Sequence, residues 1–368
     1  MGDLRGWAAV ARLPEFPWDR LAPYADRARA HPEGVVDLSI GTPVDATPEV
    51  VQAALRAASD APGYPLTIGS PALREAVVSW TGRRLGAAVS GANVVPSIGT
   101  KELVALLVQL LGITGKKVLL PALAYPTYDV GARLAGCEPV ATDDPTAHDP
   151  RDVGLVWLNS PSNPTGRVQG VAELKRVVDW GREHGVLVAS DECYLELGWD
   201  VEPVSVLHPS VSGGSTDGVL AQHSLSKRSN LAGYRSGFAI GDATAVALLV
   251  EARKHIGLLP PAPVQAATVV ALGDDVHVAA QKERYRARRG VLRAAVEKAG
   301  FRVDHSEAGL YLWATRDEPC WDTVAWLADR GVLAAPGEFY GTAGARHVRM
   351  ALTATDERVA AAAGRLAS

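Results

Sequence analysis

The stretch HSLSKRSNLAGYR, residues 223–235, decides how this chain of 368 residues is interpreted. Hydroxyls at Ser224 and Ser226 flank Lys227 on one side, and the guanidinium of Arg235 follows eight positions later. A surface lysine in a loop would explain an isolated Lys–Ser pair. A lysine buried beside other cations instead has a lowered pKa and can form a Schiff base with a carbonyl. Because the hydroxyls and Arg235 could hold an anion, the stretch indicates a ligand with both a carbonyl and a phosphate.

Five short apolar runs, rich in Val, Leu or Ile, are bounded by Gly, Pro, Asn or Asp. They are KKVLLPA (116–122), VGLVWLNS (153–160), GVLVASDE (185–192), VLAQHSLS (219–226) and GYRSGFAIG (233–241). Helical patterns such as VAELKRVVDWGREHG (171–185) lie between several of them. This alternation predicts an α/β fold with a mostly parallel central sheet flanked by helices, because a parallel crossover needs a helix-length connection. Ligands of such sheets bind at the carboxyl ends of the strands.

The length and a hydrophobic fraction of 47% predict more than one core. The last third of the chain begins with a long charged helical pattern and continues with short strands and amphipathic helices. We expect a large domain at 39–275. A smaller α+β domain would comprise 276–368 together with 1–38, which reads as an N-terminal arm without a periodic element.

Polar side chains follow the apolar runs where the predicted strands end. Asp191 comes directly after VLVAS and could pair with the ring nitrogen of pyridoxal 5′-phosphate (PLP), since only the protonated ring is a strong electron sink. Tyr194 and Asn163 could contact the phenolic oxygen of the same ring from two sides. The ordinary alternatives are a helix or turn cap for Asp191, and a turn for NSPSNPTG around Asn163.

Three further positions could complete such a site. Gly99 and Thr100 precede the helical pattern KELVALL, where free backbone N–H groups and the helix dipole favour an anion such as phosphate. Tyr125 in PALAYPTY could lie flat on the ring or belong to the core. Arg349 lies in the apolar run HVRMALT and needs a carboxylate partner, which is either internal or part of a substrate.

Composition argues against several classes of function. The formal net charge is −4 with acids and bases dispersed, which disfavours nucleic acid or an anionic membrane as the main partner. Cys137, Cys193 and Cys320 lie far apart without ligand spacing, so no metal site is expected. The cysteine pattern fits a reducing compartment, and the N-terminal residues lack an apolar secretory core. We therefore expect a cytoplasmic protein whose partners are small molecules.

The motifs occur in one order along nearly the whole chain: SIGTKE, AYPTY, NSPSNPTG, SDECY, SLSKRSNLAGYRSG, APGEFYG and VRMAL. With this order the chain resembles the fold-type I PLP-dependent aminotransferases of class I/II. The resemblance implies that Lys227 bonds covalently to PLP and moves the proton between the substrate's α-carbon and the cofactor. It also implies that no metal takes part.

The resemblance assigns the remaining positions as well. Its cofactor contacts are Asp191 on the pyridine nitrogen, Asn163 and Tyr194 on the phenolic oxygen, Tyr125 on the ring face, and Ser224, Arg235, Gly99 and Thr100 on the phosphate. Arg349 would grip the substrate's α-carboxylate with two parallel hydrogen bonds. Gly41 lies in a segment that closes over substrate. Tyr64 would reach the phosphate of a partner subunit, which implies a homodimer with shared active sites.

At a finer level, RLPEFPWDRLAPY, WLNSPSNPTG and SDECYLELGWD are similar to the succinyldiaminopimelate aminotransferases of actinobacterial lysine biosynthesis. This predicts transfer of the amino group of L-glutamate to N-succinyl-2-amino-6-oxopimelate. A second arginine for a distal carboxylate has only weak candidates, namely Arg228, Arg12 and Lys254. Three alternatives remain open: an aminotransferase for aspartate or another oxo acid, a PLP-dependent carbon–sulfur β-lyase, and a non-enzymatic ligand sensor.

Overall fold

The structure is a computed structural model that describes residues 13–14 and 17–367. The strands are β1 Val36–Asp37, β2 Val94–Ile98, β3 Lys117–Leu120, β4 Glu138–Ala141, β5 Val153–Asn159, β6 Leu187–Asp191, β7 Val219–Ser224, β8 Ser236–Gly241, β9 Arg302–Asp304, β10 Tyr311–Thr315, β11 Val332–Leu333, β12 Ala335–Pro336 and β13 Val348–Ala351. The helices are α1 Ala22–Arg29, α2 Glu49–Ala57, α3 Pro71–Leu85, α4 Thr100–Leu110, α5 Thr127–Leu134, α6 Val171–His184, α7 Pro209–Ser212, α8 Leu225–Arg228, α9 Ala243–Ile256, α10 Ala262–Gly273, α11 Asp275–Lys298, α12 Cys320–Asp329 and α13 Asp356–Leu366.

A seven-stranded sheet in the order β2-β8-β7-β6-β5-β3-β4 forms the centre of the fold. All neighbouring pairs are parallel except those of β8, which runs antiparallel to both β2 and β7. The five predicted apolar runs correspond to β3, β5, β6, β7 and β8. The expectation of an α/β fold with a mostly parallel sheet is therefore confirmed.

Helices cover both faces of this sheet because side chains alternate along each buried strand. In β5, Val156 and Leu158 join a core that includes α3 and α6. Leu155 and Trp157 join a second core on the other face with α4, α5 and α9. The parallel strands β5, β6 and β7 are thus fixed in register, with Asn159 opposite Asp191 at their carboxyl ends.

A second, antiparallel sheet has the order β12-β13-β10-β9 and packs with α12 and the C-terminal helix α13 around a third core. The 24-residue helix α11 leads into this part of the chain. Strand β1 pairs in parallel with β11, so residues near the N-terminus join the same layer. The domain division at 39–275 remains a prediction.

The prediction that residues 1–38 contain no periodic element is wrong for the part that the structure describes. Residues Pro17–Leu21 form a 3₁₀ helix that continues into α1. Leu21 and Ala25 pack into the third core, and α1 lies on α12. Proline at the first positions of a helix is compatible with helix formation, so the proline-rich composition of this segment was misleading.

Candidate active site

Lys227 lies on the short helix α8, directly after the carboxyl end of β7. Ser224 caps this helix by accepting a 3.1 Å hydrogen bond at Oγ from the backbone N–H of Ser226. The lysine Nζ donates to the backbone oxygen of Gly41. Burial lowers the pKa of Lys227, and the charges of nearby Arg349 and Arg235 act in the same direction. The amine therefore loses its proton more readily than a lysine in water.

Asp191 is the last residue of β6 and lies buried, with hydrogen bonds to three neighbouring residues. Tyr128 donates to its Oδ2 at 2.9 Å, and the backbone N–H of Cys193 donates to its Oδ1 at 3.2 Å. Asn159, at the end of the adjacent strand, fixes the backbone oxygen of Asp191 at 2.9 Å. Burial raises the pKa of Asp191, and these hydrogen bonds limit the rise. The arrangement is a rigid carboxylate at the carboxyl edge of the sheet.

Arg349 lies buried on β13, with its guanidinium 4.0 Å from the ring centre of Tyr311. One nitrogen donates to Oδ1 of Asn163 at 2.8 Å, and another donates to the backbone oxygen of Ser39 at 2.6 Å. Its Nε has no hydrogen-bond partner among the described residues. Within residues 13–14 and 17–367, no carboxylate forms an ion pair with it. Arg349 is thus a buried cation held by neutral groups.

Tyrosine side chains contact Asp191, Arg349 and one another. The hydroxyls of Tyr194 and Tyr311 lie 3.0 Å apart in a hydrogen bond, with their rings edge to face. Tyr125 is partly buried and meets Tyr128 edge to face at 6.0 Å. Burial raises the pKa of both Tyr194 and Tyr125, so both hydroxyls keep their protons near neutral pH.

Gly99 and Arg235 form a close contact at the start of α4. Gly99 has a φ of +74°, and a Cβ there would lie 2.3 Å from an Arg235 guanidinium nitrogen. Thr100 begins the helix, with its hydroxyl 3.2 Å from the sulfur of Cys193. A helix N-terminus beside an arginine is suited to an anion. Glycine is required here because both the backbone conformation and the space exclude a side chain.

Gly41 and Tyr64 differ in their surroundings. A Cβ on Gly41 would lie 2.3 Å from the hydroxyl of Tyr311, so the chain approaches the site too closely for any side chain. Tyr64 has 97% of its side chain exposed and lies outside the cluster formed by the other predicted residues.

The candidates for a second substrate-binding cation are not supported. Arg228 is buried and pairs with Glu196 at 2.5 Å, while its guanidinium lies over Trp80. Lys254 is exposed on α9 and pairs with Glu251 at 2.8 Å. Arg12 lies outside the described residues. The sequence suggested Arg228 as a substrate-binding cation because its buried carboxylate partner, Glu196, is 32 positions away along the chain.

Besides Asn159, which holds the backbone oxygen of Asp191, four further residues of the cluster were not predicted. They are Ser39, Tyr128, Cys193 and Tyr311, which contact Arg349, Asp191, Thr100 and Tyr194, respectively. The only signal for Tyr128 was its position three residues after Tyr125, near the start of α5. Tyr311 and Ser39 reach the site only through long-range packing.

A family model described as aminotransferase class I and II matches residues 33–366. The chain belongs to this family. A probable aminotransferase of Mycobacterium tuberculosis is 62% identical over 97% of this chain and 86% of its own length. The present chain is also similar to a transaminase of Streptomyces rimosus that is named for 4-dedimethylamino-4-oxo-anhydrotetracycline. The two are 59% identical over 97% of this chain and 100% of the relative. The solved structure of N-succinyldiaminopimelate aminotransferase from M. tuberculosis matches with a TM-score of 0.87 and 25% identity, over 98% of each chain.

The resemblance to fold-type I aminotransferases is therefore confirmed, and the chain is an enzyme of the transferase class whose cofactor is PLP. Within the described residues, no group of three or more His, Cys, Asp or Glu side chains has the arrangement of a metal site. None of the described helices is both long and apolar enough to cross a membrane.

Proposed function

We propose that this aminotransferase moves the amino group of L-glutamate to N-succinyl-2-amino-6-oxopimelate. The observation that carries the proposal is the uncompensated charge of Arg349. A buried guanidinium without a carboxylate is costly, because burial removes the water that would stabilise its charge. Glutamate and the proposed acceptor each present a carboxylate next to the reacting carbon. Such a carboxylate would pair with the arginine and relieve this cost.

The residues around Arg349 fit PLP in their chemistry. The neutral fraction of Lys227 provides an amine for the cofactor's aldehyde, and Asp191 provides a carboxylate for a protonated ring nitrogen. The guanidinium of Arg235 packs against Gly99, where a Cβ would displace it, so its charge lies at the start of α4. Ser224 and the start of α4 add donors for the phosphate. When bound, PLP would supply an electron-withdrawing ring that lowers the barrier to removing the α-proton.

The remaining residues would orient the reacting groups. Asn163 and Tyr194 would contact the phenolic oxygen, and Tyr125 would lie on the ring face. Arg349 and Gly41 would hold the substrate's carboxylate side, with Lys227 placed to accept the proton at Nζ.

We also propose a homodimer with shared sites. Tyr64 is 97% exposed, and Ile40 and Leu66 are more than half exposed near the same part of the chain. Exposed apolar residues of this size are typical of an interface. A second copy would bring its Tyr64 towards the phosphate held by Arg235.

One relative at 59% identity suggests a second acceptor, because it is named for 4-dedimethylamino-4-oxo-anhydrotetracycline. Its identity to this chain is higher than the 25% of the N-succinyldiaminopimelate aminotransferase. The second candidate is therefore transfer to the ketone of 4-dedimethylamino-4-oxo-anhydrotetracycline.

An acceptor panel separates these functions. The purified enzyme, loaded with PLP and reacted with L-glutamate, would be offered four oxo compounds: N-succinyl-2-amino-6-oxopimelate, its unsuccinylated form, oxaloacetate and the tetracycline ketone. A separate PLP-loaded sample without glutamate would receive cystathionine. The proposal expects release of 2-oxoglutarate from glutamate and the highest kcat/KM with the succinylated acceptor. A higher kcat/KM with the tetracycline ketone would select the second candidate. Pyruvate and ammonia from cystathionine would select a β-lyase instead.

A further inference from the structure

The segment of residues 39–47 touches both cationic groups of the site through its backbone. The carbonyl oxygen of Ser39 accepts the hydrogen bond of Arg349 at 2.6 Å. The carbonyl oxygen of Gly41 accepts from Nζ of Lys227. The position of the 39–47 segment therefore affects both the group that would bind the substrate carboxylate and the group that would accept its proton.

The far end of the same segment is anchored to α11 by Asp45. Arg288 approaches its carboxylate with two nitrogens, at 2.7 and 2.8 Å. Gln281 donates to Oδ2 at 2.8 Å, and Arg284 forms an ion pair at 3.2 Å. Two parallel N–H···O bonds fix both the distance and the angle between the partners. Asp45 thus holds the segment in one orientation on the helix.

This anchor is buried, which distinguishes it from ordinary surface ion pairs. The side chains of Asp45 and Arg288 are 8% and 3% exposed. Burial by itself would raise the pKa of Asp45, but hydrogen bonds from Arg288 and Gln281 outweigh it and the pKa lies below its usual value. Arg288 also donates through Nε to the exposed Asp356 at 2.6 Å. Loss of the Asp45 carboxylate would leave that pair in place but would remove the acceptors of the other two guanidinium nitrogens, which costs more than losing an exposed pair.

A further connection joins the anchor to the loop that carries Lys227. Asn230 donates to Oε1 of Gln281 at 2.9 Å and to the backbone oxygen of Ala46 at 3.3 Å. Its own backbone oxygen accepts from the hydroxyl of Thr47 at 3.2 Å. Since Asn230 is only three residues after Lys227, the segment, helix α11 and the lysine loop form one hydrogen-bonded unit.

We infer that Asp45 is a positioning residue, which keeps the 39–47 segment placed over the substrate position through its paired contact with Arg288. This inference rests on the proposed transamination and adds a residue that contacts neither substrate nor cofactor. Loss of the anchor would let the segment open, so substrate binding would weaken. Lys227 would lose its contact with Gly41, but its backbone is held by α8 and not by the segment, so the rate at saturation would change little.

The test compares Asp45→Asn with Asp200→Asn in the PLP-loaded enzyme and in the chain without PLP. Asp200 is a more exposed aspartate that pairs with Arg289 on the same helix, and among the described residues it forms no hydrogen bond or ion pair with the segment, so it is the control. Arg288→Lys is a second variant, which keeps the charge but loses the paired geometry. For each protein, amide hydrogen exchange of residues 39–47 is measured without PLP. The KM and kcat for L-glutamate are measured with PLP.

Asp45→Asn is expected to speed hydrogen exchange in the segment roughly 10-fold or more and to raise KM by a similar factor. Its kcat should fall less than about threefold, and Asp200→Asn should match the wild type. Arg288→Lys should lie between the two. Unchanged exchange, or a lower kcat at unchanged KM, would overturn the inference. If the wild type failed to react with glutamate, the proposed function would be wrong, while the exchange result would still test the anchor.

Discussion

Tyr128 donates a 2.9 Å hydrogen bond to Oδ2 of Asp191, and both side chains are buried. The tyrosine comes from α5, after β3, whereas the carboxylate ends β6 two strands away in the sheet. A buried carboxylate that lacks such donors takes up a proton more readily, because burial favours its neutral form. Tyr128 therefore helps to keep Asp191 charged.

Replacing Tyr128 by phenylalanine tests this relationship. A hydrogen bond to a charged group contributes about 1.5–3 kcal/mol, so the pKa of Asp191 should rise further. We expect the kcat of the half-reaction with glutamate to fall about 10-fold or more. Stopped-flow absorbance measures this rate. Tyr24→Phe is the control, since Tyr24 stacks on Trp321 in the third core, and equal rates for both variants would contradict the assigned role.

Gly99→Ala should weaken PLP binding. The new Cβ would lie 2.3 Å from the guanidinium of Arg235 and would also require a φ of +74°. Gly112→Ala is a matched control, because Gly112 has a φ of +70° with open space around it. Both variants should lose about 1–2 kcal/mol of stability from the backbone conformation. Only Gly99→Ala should raise the dissociation constant for PLP, by about 10-fold or more, and equilibrium dialysis measures this constant. The same dissociation constant for both variants would refute a phosphate site beside Gly99.

The pH at which the enzyme captures PLP depends on the charge of Lys227. Only the neutral amine attacks an aldehyde, and burial lowers the pKa of this lysine with help from Arg349. The rate of capture should therefore reach half its maximum below about pH 10.4, the ordinary lysine value. Arg349→Met removes a neighbouring positive charge and should shift this midpoint upwards.

The measurement is the rate at which a visible band forms after mixing PLP with the cofactor-free protein at a series of pH values. Arg346→Met removes an exposed arginine from the residues before β13 and is the control. A midpoint that is identical in all three proteins would contradict the electrostatic effect of Arg349.

Glu192 provides a prediction about stability. Burial raises its pKa to about 7, whereas His223, 3.4 Å away, has its pKa lowered to about 3 by burial and the charge of Arg228. A carboxyl whose pKa is higher in the folded state than in the unfolded state stabilises the fold at pH values below its unfolded-state pKa of about 4.3. This contribution decreases as pH rises towards 7, by up to about 1.4 kcal/mol per pH unit.

Urea unfolding of the cofactor-free protein at several pH values tests this sign. The wild type should lose stability relative to Glu192→Gln as pH rises from about 4.5 to 7, with no further change above 7. Glu283→Gln, at an exposed position on α11, should differ from the wild type by a constant amount. A difference between wild type and Glu192→Gln that is flat throughout this range would refute the raised pKa.

The sequence was informative wherever a local pattern determined the structure. Asp191 and Lys227 were expected at the carboxyl edge of a parallel sheet, because each follows an apolar run and parallel strands end on one side. The structure brings both to that edge, at the ends of the adjacent strands β6 and β7.

Long-range contacts were beyond such reasoning. The hydrogen bond between Arg349 and Ser39 joins residues 310 positions apart, and no local pattern predicts it. Similarly, Glu196 makes Arg228 a buried structural cation, which composition alone could not reveal. Helix α1 was missed because Pro17 and Pro23 argue against a helix unless they lie near its start, and because its packing on α12 is a long-range contact.

The most direct test of this account is to locate the bond between the protein and PLP. Borohydride reduces a carbon–nitrogen double bond between a lysine and the aldehyde, so the cofactor stays attached through digestion and mass spectrometry. The account predicts a phosphopyridoxyl group on the peptide that contains Lys227, and loss of this label with the visible absorbance in Lys227→Ala. A label on another lysine, or a visible band that persists in Lys227→Ala, would contradict it.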